Sequence, residues 1–201
     1  MNQKIIYLEG DLTKGIRFTG PVAMDSEFTG LSLIRDRLCL VQLSDGKGAV
    51  YVVKVAPPYD CPNLKKVISG ASAILHFARM DMCMMKKCLG VVPKEIFCTK
   101  IASRLARTST DRHSLKDLVA EYFGKSLDKK EQQSDWAGPL TQEQIEYAAS
   151  DVLYLHRIRG ILTDKLKREK RMELAEKCFR FLPARVELDL SGWVDADIFA
   201  H

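Results

Sequence analysis

The first half of the chain alternates short apolar runs with turn residues, and the second half changes to helical spacing. The runs KIIYLEG, PVAMDSE, LCLVQLS and AVYVVKV predict four strands, and DGKG between the last two predicts a hairpin. SAILHF predicts another buried strand, between two helices that end at Gly70 and Gly90. Strands that come first, with helices alternating afterwards, predict an α/β fold in which helices pack on a mixed sheet.

From about residue 98 onward the spacing is helical. Ser114 and Gly124 are the predicted first and last boundaries of one helix. A polar stretch, residues 125–140, is the longest predicted loop. Thr141 with Gln144 then forms a capping box that begins a long helix, and we predict a break in that helix near Gly160.

Composition fits one soluble globular domain. The 201 residues are 46% hydrophobic and 28% charged, and no linker rich in Pro, Gly or Ser divides them. We therefore predict a domain over residues 1–180 and a C-terminal tail over residues 181–201. No secretory signal or membrane-spanning run is visible, so we expect a cytoplasmic protein that does not enter membranes. The six cysteines form no CxxC pair and indicate reduced, packed thiols, and a net charge of +5 permits a polyanionic partner without requiring one.

Candidate chemistry begins with two acids one residue apart on a predicted strand. Asp25 and Glu27 would project from the same face, roughly 7 Å apart. At the centre of a sheet their repulsion requires a compensating cation, either a basic side chain or a metal ion, whereas an exposed strand end would require none. Asp81 begins a helix just after a buried strand, where an acid can also serve only as a partner of the helix dipole.

A late helix adds Tyr147 and Asp151, which are four residues apart and therefore share a face. If the four carboxylates converge, they can hold two divalent ions roughly 3.5 to 4 Å apart, the arrangement used for in-line displacement at phosphorus. Oxygen ligands of this kind suit Mg²⁺ or Mn²⁺. Shared ions would also relieve the repulsion between Asp25 and Glu27.

This ordered series of acids resembles the tyrosine branch of the DEDD superfamily of 3′-5′ exonucleases, which has a ribonuclease H-like fold. The stretch SDWAGPLTQEQIEYAASDVLYLHRI is similar to ribonuclease D. Nearly the full chain resembles the nanoRNase C family, through MDSEFTGL, RDRLCLVQLS, FCTKIASRLARTSTDRHSLKDL, FLPARVELDL and DIFAH. The histidine branch has His five residues before its last Asp, where this chain has Glu146. Ribonuclease D also carries a helical RNA-binding domain after its nuclease domain, and we expect none in the 50 residues after Asp151.

The resemblance implies metal ligation by Asp25, Glu27, Asp81 and Asp151, with Tyr147 aligning the attacking water. It implies a metal-dependent exoribonuclease that converts very short RNA, above all dinucleotides, to mononucleotides. A general 3′ exonuclease that trims tRNA ends or DNA is the alternative. A non-catalytic nucleic-acid-binding relative is disfavoured, because such a protein would normally have lost one or more of these acids.

Substrate-binding residues are open to two interpretations each. Leu31 is either a core side chain or, as the resemblance suggests, a wedge between the two bases of a short substrate. His76 either contacts the terminal nucleotide or is a hydrogen-bonded core histidine. Just before the helix that begins at Ser114 lies a basic group that either binds a 5′ phosphate or only forms surface ion pairs. This group comprises Arg104, Arg107, Arg112 and His113.

The predicted tail is more apolar than a solvated segment should be. It either packs back on its own domain or joins a subunit interface. The nanoRNase C resemblance implies a closed homo-oligomeric ring, an octamer, and favours the interface. The apolar residues concerned are Phe181, Leu182, Val186, Leu188, Leu190, Trp193, Ile198 and Phe199.

Overall fold

The computed structural model describes residues 4–127, 130–131, 134–194 and 196–200. It contains a six-stranded mixed sheet with helices packed on it, which confirms the predicted α/β class. The strands are β1 (Lys4–Glu9), β2 (Val22–Phe28), β3 (Leu38–Ser44), β4 (Ala49–Lys54), β5 (Ser72–Leu75) and β6 (Glu95–Cys98). The helices are α1 (Pro62–Gly70), α2 (Ala78–Met84), α3 (Thr99–Ala106), α4 (Leu115–Phe123), α5 (Gln142–Ser150), α6 (Leu155–Arg168) and α7 (Met172–Leu190), and a π-helical turn, Met85–Leu89, continues α2.

The strand order is β1-β4-β3-β2-β5-β6, so β2 lies inside the sheet. It pairs antiparallel with β3 and parallel with β5. The predicted hairpin joins β3 and β4, in which Ser44 pairs with Val50. All seven residues of β3 are buried, so both faces of the sheet are covered at its centre.

Strand β6 was not predicted. Its four residues pair in parallel with β5 at the sheet edge, and Glu95 at its start is exposed. A run this short has no periodicity that separates it from the helix that follows, so only pairing with β5 identifies it.

Helix boundaries agree with the capping signals, with one correction. Ser114 and Thr141 both form capping boxes, and Gly124 caps α4 in a left-handed conformation, as predicted. The break predicted near Gly160 is wrong, because α6 runs through it and the chain instead turns between α5 and α6 and again before α7. Gly160 is exposed, and α6 is held by its opposite, buried face, which consists of Leu155, Ile158, Leu162 and Leu166. Residues 128–129 and 132–133 of the predicted loop lie outside the described residues.

Residues 181–190 of the predicted tail form the end of α7, and the described residues 191–194 and 196–200 follow that helix. The predicted boundary at residue 180 falls inside this helix, which continues across Pro183 to Leu190. Leu182 and Val186 are buried against the domain, whereas Phe181, Trp193, Ile198 and Phe199 remain exposed. Residues 195 and 201 lie outside the described residues, and the role of residues 181–201 in an interface stays a prediction. No helix in the described part of the chain combines the length and apolar character needed to span a membrane.

A buried charge cluster connects α7 to α2. Asp189, of which 3% is exposed, accepts hydrogen bonds from Arg79 Nε at 2.5 Å and from Arg79 Nη2 at 2.7 Å. Arg185 donates to the same carboxylate, with Nε at 2.9 Å. Burial by itself raises the pKa of Asp189, but the hydrogen bonds and charges of the two arginines lower it below its ordinary value. Arg79 lies two residues before Asp81, so α7 holds the helix that carries this acid.

We expect Asp189→Asn to lower the free energy of unfolding by about 3 kcal/mol, because both arginines lose their buried carboxylate partner. Chemical denaturation followed by circular dichroism measures this. Glu187→Gln is the matched control, since it makes the same charge change at an exposed position of α7 and should alter stability by less than about 0.5 kcal/mol. Equal stabilities of the two variants would contradict the cluster's structural role.

Candidate active site

Strand β2 brings two acids to one face of the sheet. Its first residues, Val22, Ala23 and Met24, are buried and fix the strand in the core. Asp25 and Glu27 follow on one face and are each half-buried, opposite residues of β3. They are therefore not at a solvated strand end, and the interpretation that requires a compensating cation is the one that the fold supports.

Asp151 comes to the same place from the C-terminal end of α5. One oxygen from each of Asp25, Glu27 and Asp151 lies within 4.8 Å of the other two. Three carboxylate oxygens at this spacing are a ligand set that hard divalent cations prefer. The residues therefore fit a metal ion.

Asp81 is held beside this trio by a hydroxyl. It lies in the first turn of α2, is 5% exposed, and accepts a hydrogen bond from Ser26 Oγ at 2.5 Å. Phe77, which precedes α2, adopts a left-handed conformation with φ of 62°, and this sharp turn places Asp81 close to β2 after the short strand β5. Asp81 is not in the 4.8 Å group. The negative charge of Asp81 nevertheless raises the pKa values of Asp25 and Glu27.

Asp81 is buried, the other three acids are partly buried, and all four lie near one another. Burial, followed by the charges of Asp81, Asp151 and Glu27, raises the pKa of Asp25 well above its ordinary value. Burial and then the charges of Asp151 and Asp81 raise the pKa of Glu27 to about 9. Burial also raises the pKa of Asp81 to about 7, against the opposing effect of the Ser26 hydrogen bond, and that of Asp151 to about 7. Without a cation, the site therefore retains protons at neutral pH.

Tyr147 lies one turn before Asp151 on α5 and is half-buried. Its ring packs against Trp136, with the centroids 6.0 Å apart. Trp136 is 2% exposed, which agrees with a packing role and not with an open stacking surface for bases. This packing supports the tyrosine on α5, one helical turn before Asp151.

Comparison with known proteins identifies the family that carries this arrangement of acids. The sequence profile described as a 3′-5′ exonuclease matches residues 8–167, which contain all four acids and Tyr147. The chain belongs to this 3′-5′ exonuclease family. Its ribonuclease H-like exonuclease fold was predicted from the sequence and is confirmed.

Within the exonuclease family, the chain is similar to two kinds of protein. Brucella melitensis NrnC bound to pGG is 46% identical, with a TM-score of 0.94 and coverage of 100% of both chains. The same Brucella protein with bound Mg²⁺ is 45% identical, with a TM-score of 0.93 over 99% of this chain and 100% of that one. Ribonuclease D of Xanthomonas oryzae pv. oryzae is 34% identical over 185 residues, 89% of this chain and 50% of the relative. The resemblance to nanoRNase C, abbreviated NrnC, and to ribonuclease D is thus confirmed. The chain spans half the length or less of these ribonuclease D relatives.

The loop after β2 presents Leu31 to solvent. Leu31 is 80% exposed, so it is not a core side chain. The loop is internally ordered, because the Asp36 carboxylate accepts hydrogen bonds from Thr29 Oγ1 and the Ser32 N–H. A Cβ at Gly30 would lie 2.6 Å from Asp36 Oδ2, so a larger residue there would displace this carboxylate. The predicted contact of Leu31 with the bases of a short substrate stays a prediction.

His76 is hydrogen-bonded inside the protein. Its Nδ1 lies 2.9 Å from Thr99 Oγ1, and that hydroxyl also donates to the carbonyl of Leu75. Burial, and then the positive charge of Lys100, lower the pKa of His76 to about 3. A neutral imidazole can still donate or accept one hydrogen bond, so the predicted contact with a nucleotide stays a prediction.

The basic group before α4 divides into buried and exposed members. Arg107 is 7% exposed, and its guanidinium donates to Ser103 Oγ, to the Arg112 carbonyl and to Glu121. His113 is 9% exposed, with Nδ1 2.9 Å from Ser103 Oγ. Arg112, like Arg104, is exposed. Arg107 forms an ion pair with Glu121, whereas the nearby acid Asp117 completes the capping box of Ser114. Phosphate binding by Arg112 and His113 stays a prediction.

Ser26 is a site residue that the sequence did not reveal. It stands between Asp25 and Glu27 and alternates to the other face of β2. Its bond to Asp81 spans 55 residues, so no local spacing indicates it. The helix that carries Asp81 follows α1 and β5 in the chain, so only the folded sheet reveals the pairing of this hydroxyl with Asp81.

The metal-free protein should lose stability as pH rises. Its folded state holds protons on acids with raised pKa values, whereas unfolded carboxyls release theirs near pH 4. Folding therefore takes up protons, and the free energy of unfolding falls between about pH 4 and pH 9. In EDTA we expect it to be lower at about pH 8.5 than at about pH 5.5 by at least about 2 kcal/mol.

Denaturation at the two pH values measures this difference. Excess Mg²⁺ should remove most of it, because a cation then replaces the protons, and Asp151→Asn in EDTA should reduce it. A metal-free protein that is more stable at the higher pH would contradict the electrostatic description of the site.

Proposed function

We propose that the protein is a 3′-5′ exoribonuclease that hydrolyses very short RNA, above all dinucleotides, to 5′-mononucleotides. The observation that carries this proposal is the trio of carboxylate oxygens within 4.8 Å, with Asp81 bonded to Ser26 of the same strand and Tyr147 one helical turn before Asp151. Full-length similarity to Brucella NrnC bound to pGG supports the choice of a short substrate. The cytoplasmic location expected from the sequence is part of the proposal.

In this proposal, Asp25, Glu27, Asp81 and Asp151 hold two divalent ions, Mg²⁺ or Mn²⁺. When bound, the ions supply Lewis acidity, which lowers the pKa of water and stabilises the leaving 3′ oxygen. The Tyr147 hydroxyl orients the attacking water, and Ser26 fixes the carboxylate of Asp81 by donating to it. Similarity to Brucella NrnC with bound Mg²⁺ supports the choice of ions.

The remaining side chains select a short substrate. Leu31 inserts between the two bases, and His76 contacts the terminal nucleotide. Arg112 and His113 bind the 5′ phosphate, with the exposed Arg112 as the main contact and the N-terminus of α4 nearby. A substrate held at both ends cannot extend past its 5′ phosphate, so a dinucleotide is the preferred length.

A time course on 5′-labelled RNA of two to ten nucleotides, with matched DNA, tests the substrate. We expect dinucleotides to disappear fastest and mononucleotides to accumulate with Mg²⁺ or Mn²⁺. Accumulation of dinucleotides, or equal rates at all lengths, would favour the alternative, a general 3′ exonuclease that trims tRNA ends or DNA. Asp151→Asn is the inactive control.

Tyr147→Phe should bind the cation normally and lower kcat about 100-fold, because only the group that orients water is lost.

Binding experiments with the Asp151→Asn protein test the two ends of the substrate. Leu31→Ala should weaken dinucleotide binding by about 1.5 kcal/mol, the loss of one buried apolar contact. Ile34→Ala is the matched control, because Ile34 lies on the same loop and is 90% exposed.

Arg112→Ala should weaken binding by roughly 1.5 to 3 kcal/mol only when the dinucleotide carries a 5′ phosphate. Equal effects with and without the phosphate would remove Arg112 from the site.

We further propose a homo-oligomeric ring, an octamer, whose interface includes the end of α7. Phe181 and Phe199 are exposed with their ring centroids 6.4 Å apart, and Trp193 and Ile198 are exposed nearby in the chain. Light scattering should give a mass near 180 kDa, about eight times the 22.7 kDa of one chain. A mass of about 23 kDa at every concentration would contradict this assembly.

A further inference from the structure

Gln42, at the centre of β3, is a buried amide without a hydrogen-bond partner. Its exposed fraction is 0%, and neither Nε2 nor Oε1 has a partner among the described residues. Such groups are rare, because the amide gives up its hydrogen bonds to water and gains none in return. By contrast, Ser44, the next polar residue of β3 on the same face, donates from Oγ to the carbonyl of Ala49 at 3.2 Å.

The register of the sheet places Gln42 directly opposite Asp25. The two are partners in the antiparallel ladder of β2 and β3. Directly opposite residues project from the same face, with Cβ atoms roughly 5 Å apart, so rotation of the glutamine side chain alone brings its amide to the carboxylate. On the other side, the partner of Gln42 in β4 is Val52, whose side chain cannot hydrogen-bond. Asp25 is therefore the polar cross-strand neighbour of this amide.

We propose that Gln42 is a positioning residue of the metal site, whose amide N–H donates to the Asp25 carboxylate when Asp25 binds a cation. This inference rests on the proposed role of Asp25 as a metal ligand. A donor that orients a ligating carboxylate typically changes metal affinity by about 10-fold to 100-fold. Because the amide has no hydrogen-bond partner among the described residues, its burial destabilises the metal-free protein, and we expect it to act on the metal only through Asp25.

Gln42→Met tests this role, because methionine has a similar volume and no amide. In EDTA, its melting temperature should be higher than that of the wild type, because an unpartnered buried amide has been removed. Its affinity for Mn²⁺, measured by the electron paramagnetic resonance signal of the free ion, should be about 10-fold weaker or more. An amide with a purely structural role would give the opposite change in melting temperature and no change in affinity.

Ser44→Ala is the matched control on the same strand and face. It removes a hydroxyl that is already hydrogen-bonded, so it should lower the melting temperature and leave Mn²⁺ affinity unchanged. A folded Gln42→Met protein with wild-type Mn²⁺ affinity would overturn the inference, and so would one that melts at a lower temperature in EDTA. If Gln42→Met does not fold, Gln42→Leu replaces it, and failure of both to fold would also overturn the inference.

Asp25→Asn separates this inference from the proposed function. If Asp25→Asn leaves Mn²⁺ binding unchanged, the metal-site assignment fails and the role of Gln42 fails with it. If Asp25→Asn abolishes Mn²⁺ binding and Gln42→Met does not weaken it, only the role of Gln42 fails. Loss of binding in the first variant and weakening in the second support both.

Discussion

Four acidic side chains, held together and away from water, set the main physical constraint on this molecule. Desolvation and mutual repulsion both oppose their ionised forms, as the raised pKa values of Asp25, Glu27, Asp81 and Asp151 express. The free energy that stabilises the folded state must therefore come from other parts of the fold. It comes from the apolar centre of the sheet, where all seven residues of β3 are buried, and from helices with buried apolar faces. A bound cation offsets this repulsion, because each ionised carboxylate then attracts the ion.

The acids come from separate elements, so their geometry depends on packing between those elements. β2 supplies two of them, and its position between β3 and β5 fixes their direction. α2 and the C-terminal end of α5 supply the others. Arg79 and Asp189 tie α2 to α7, and the Trp136 ring supports Tyr147 on α5. The elements that carry the acids are thus held by contacts outside the site, which do not depend on a bound ion.

Much of this arrangement could be predicted from local sequence, because its signals are local. The β-branched runs of the first half, the capping boxes at Ser114 and Thr141, and the spacings within the D-x-E and Y-x3-D pairs involve residues close in the chain. The prediction that these pairs converge came from the resemblance to known exonucleases, because no single spacing in the sequence shows it. Strand β6 and the partnership of Ser26 with Asp81 were missed because each depends on a neighbour distant in sequence. The break expected near Gly160 was wrong because tertiary packing outweighed the low helix propensity of one exposed glycine.

The bond between Arg79 and Asp189 also bears on the order of events during synthesis. Its two ends are 110 residues apart, so the helix that carries Asp81 leaves the ribosome long before its partner is made. Contacts that close such long loops form late in folding. The nascent chain therefore has the sheet and all four acids before α7 fixes α2, and the site reaches its final geometry only after Asp189 has been made and α7 has docked.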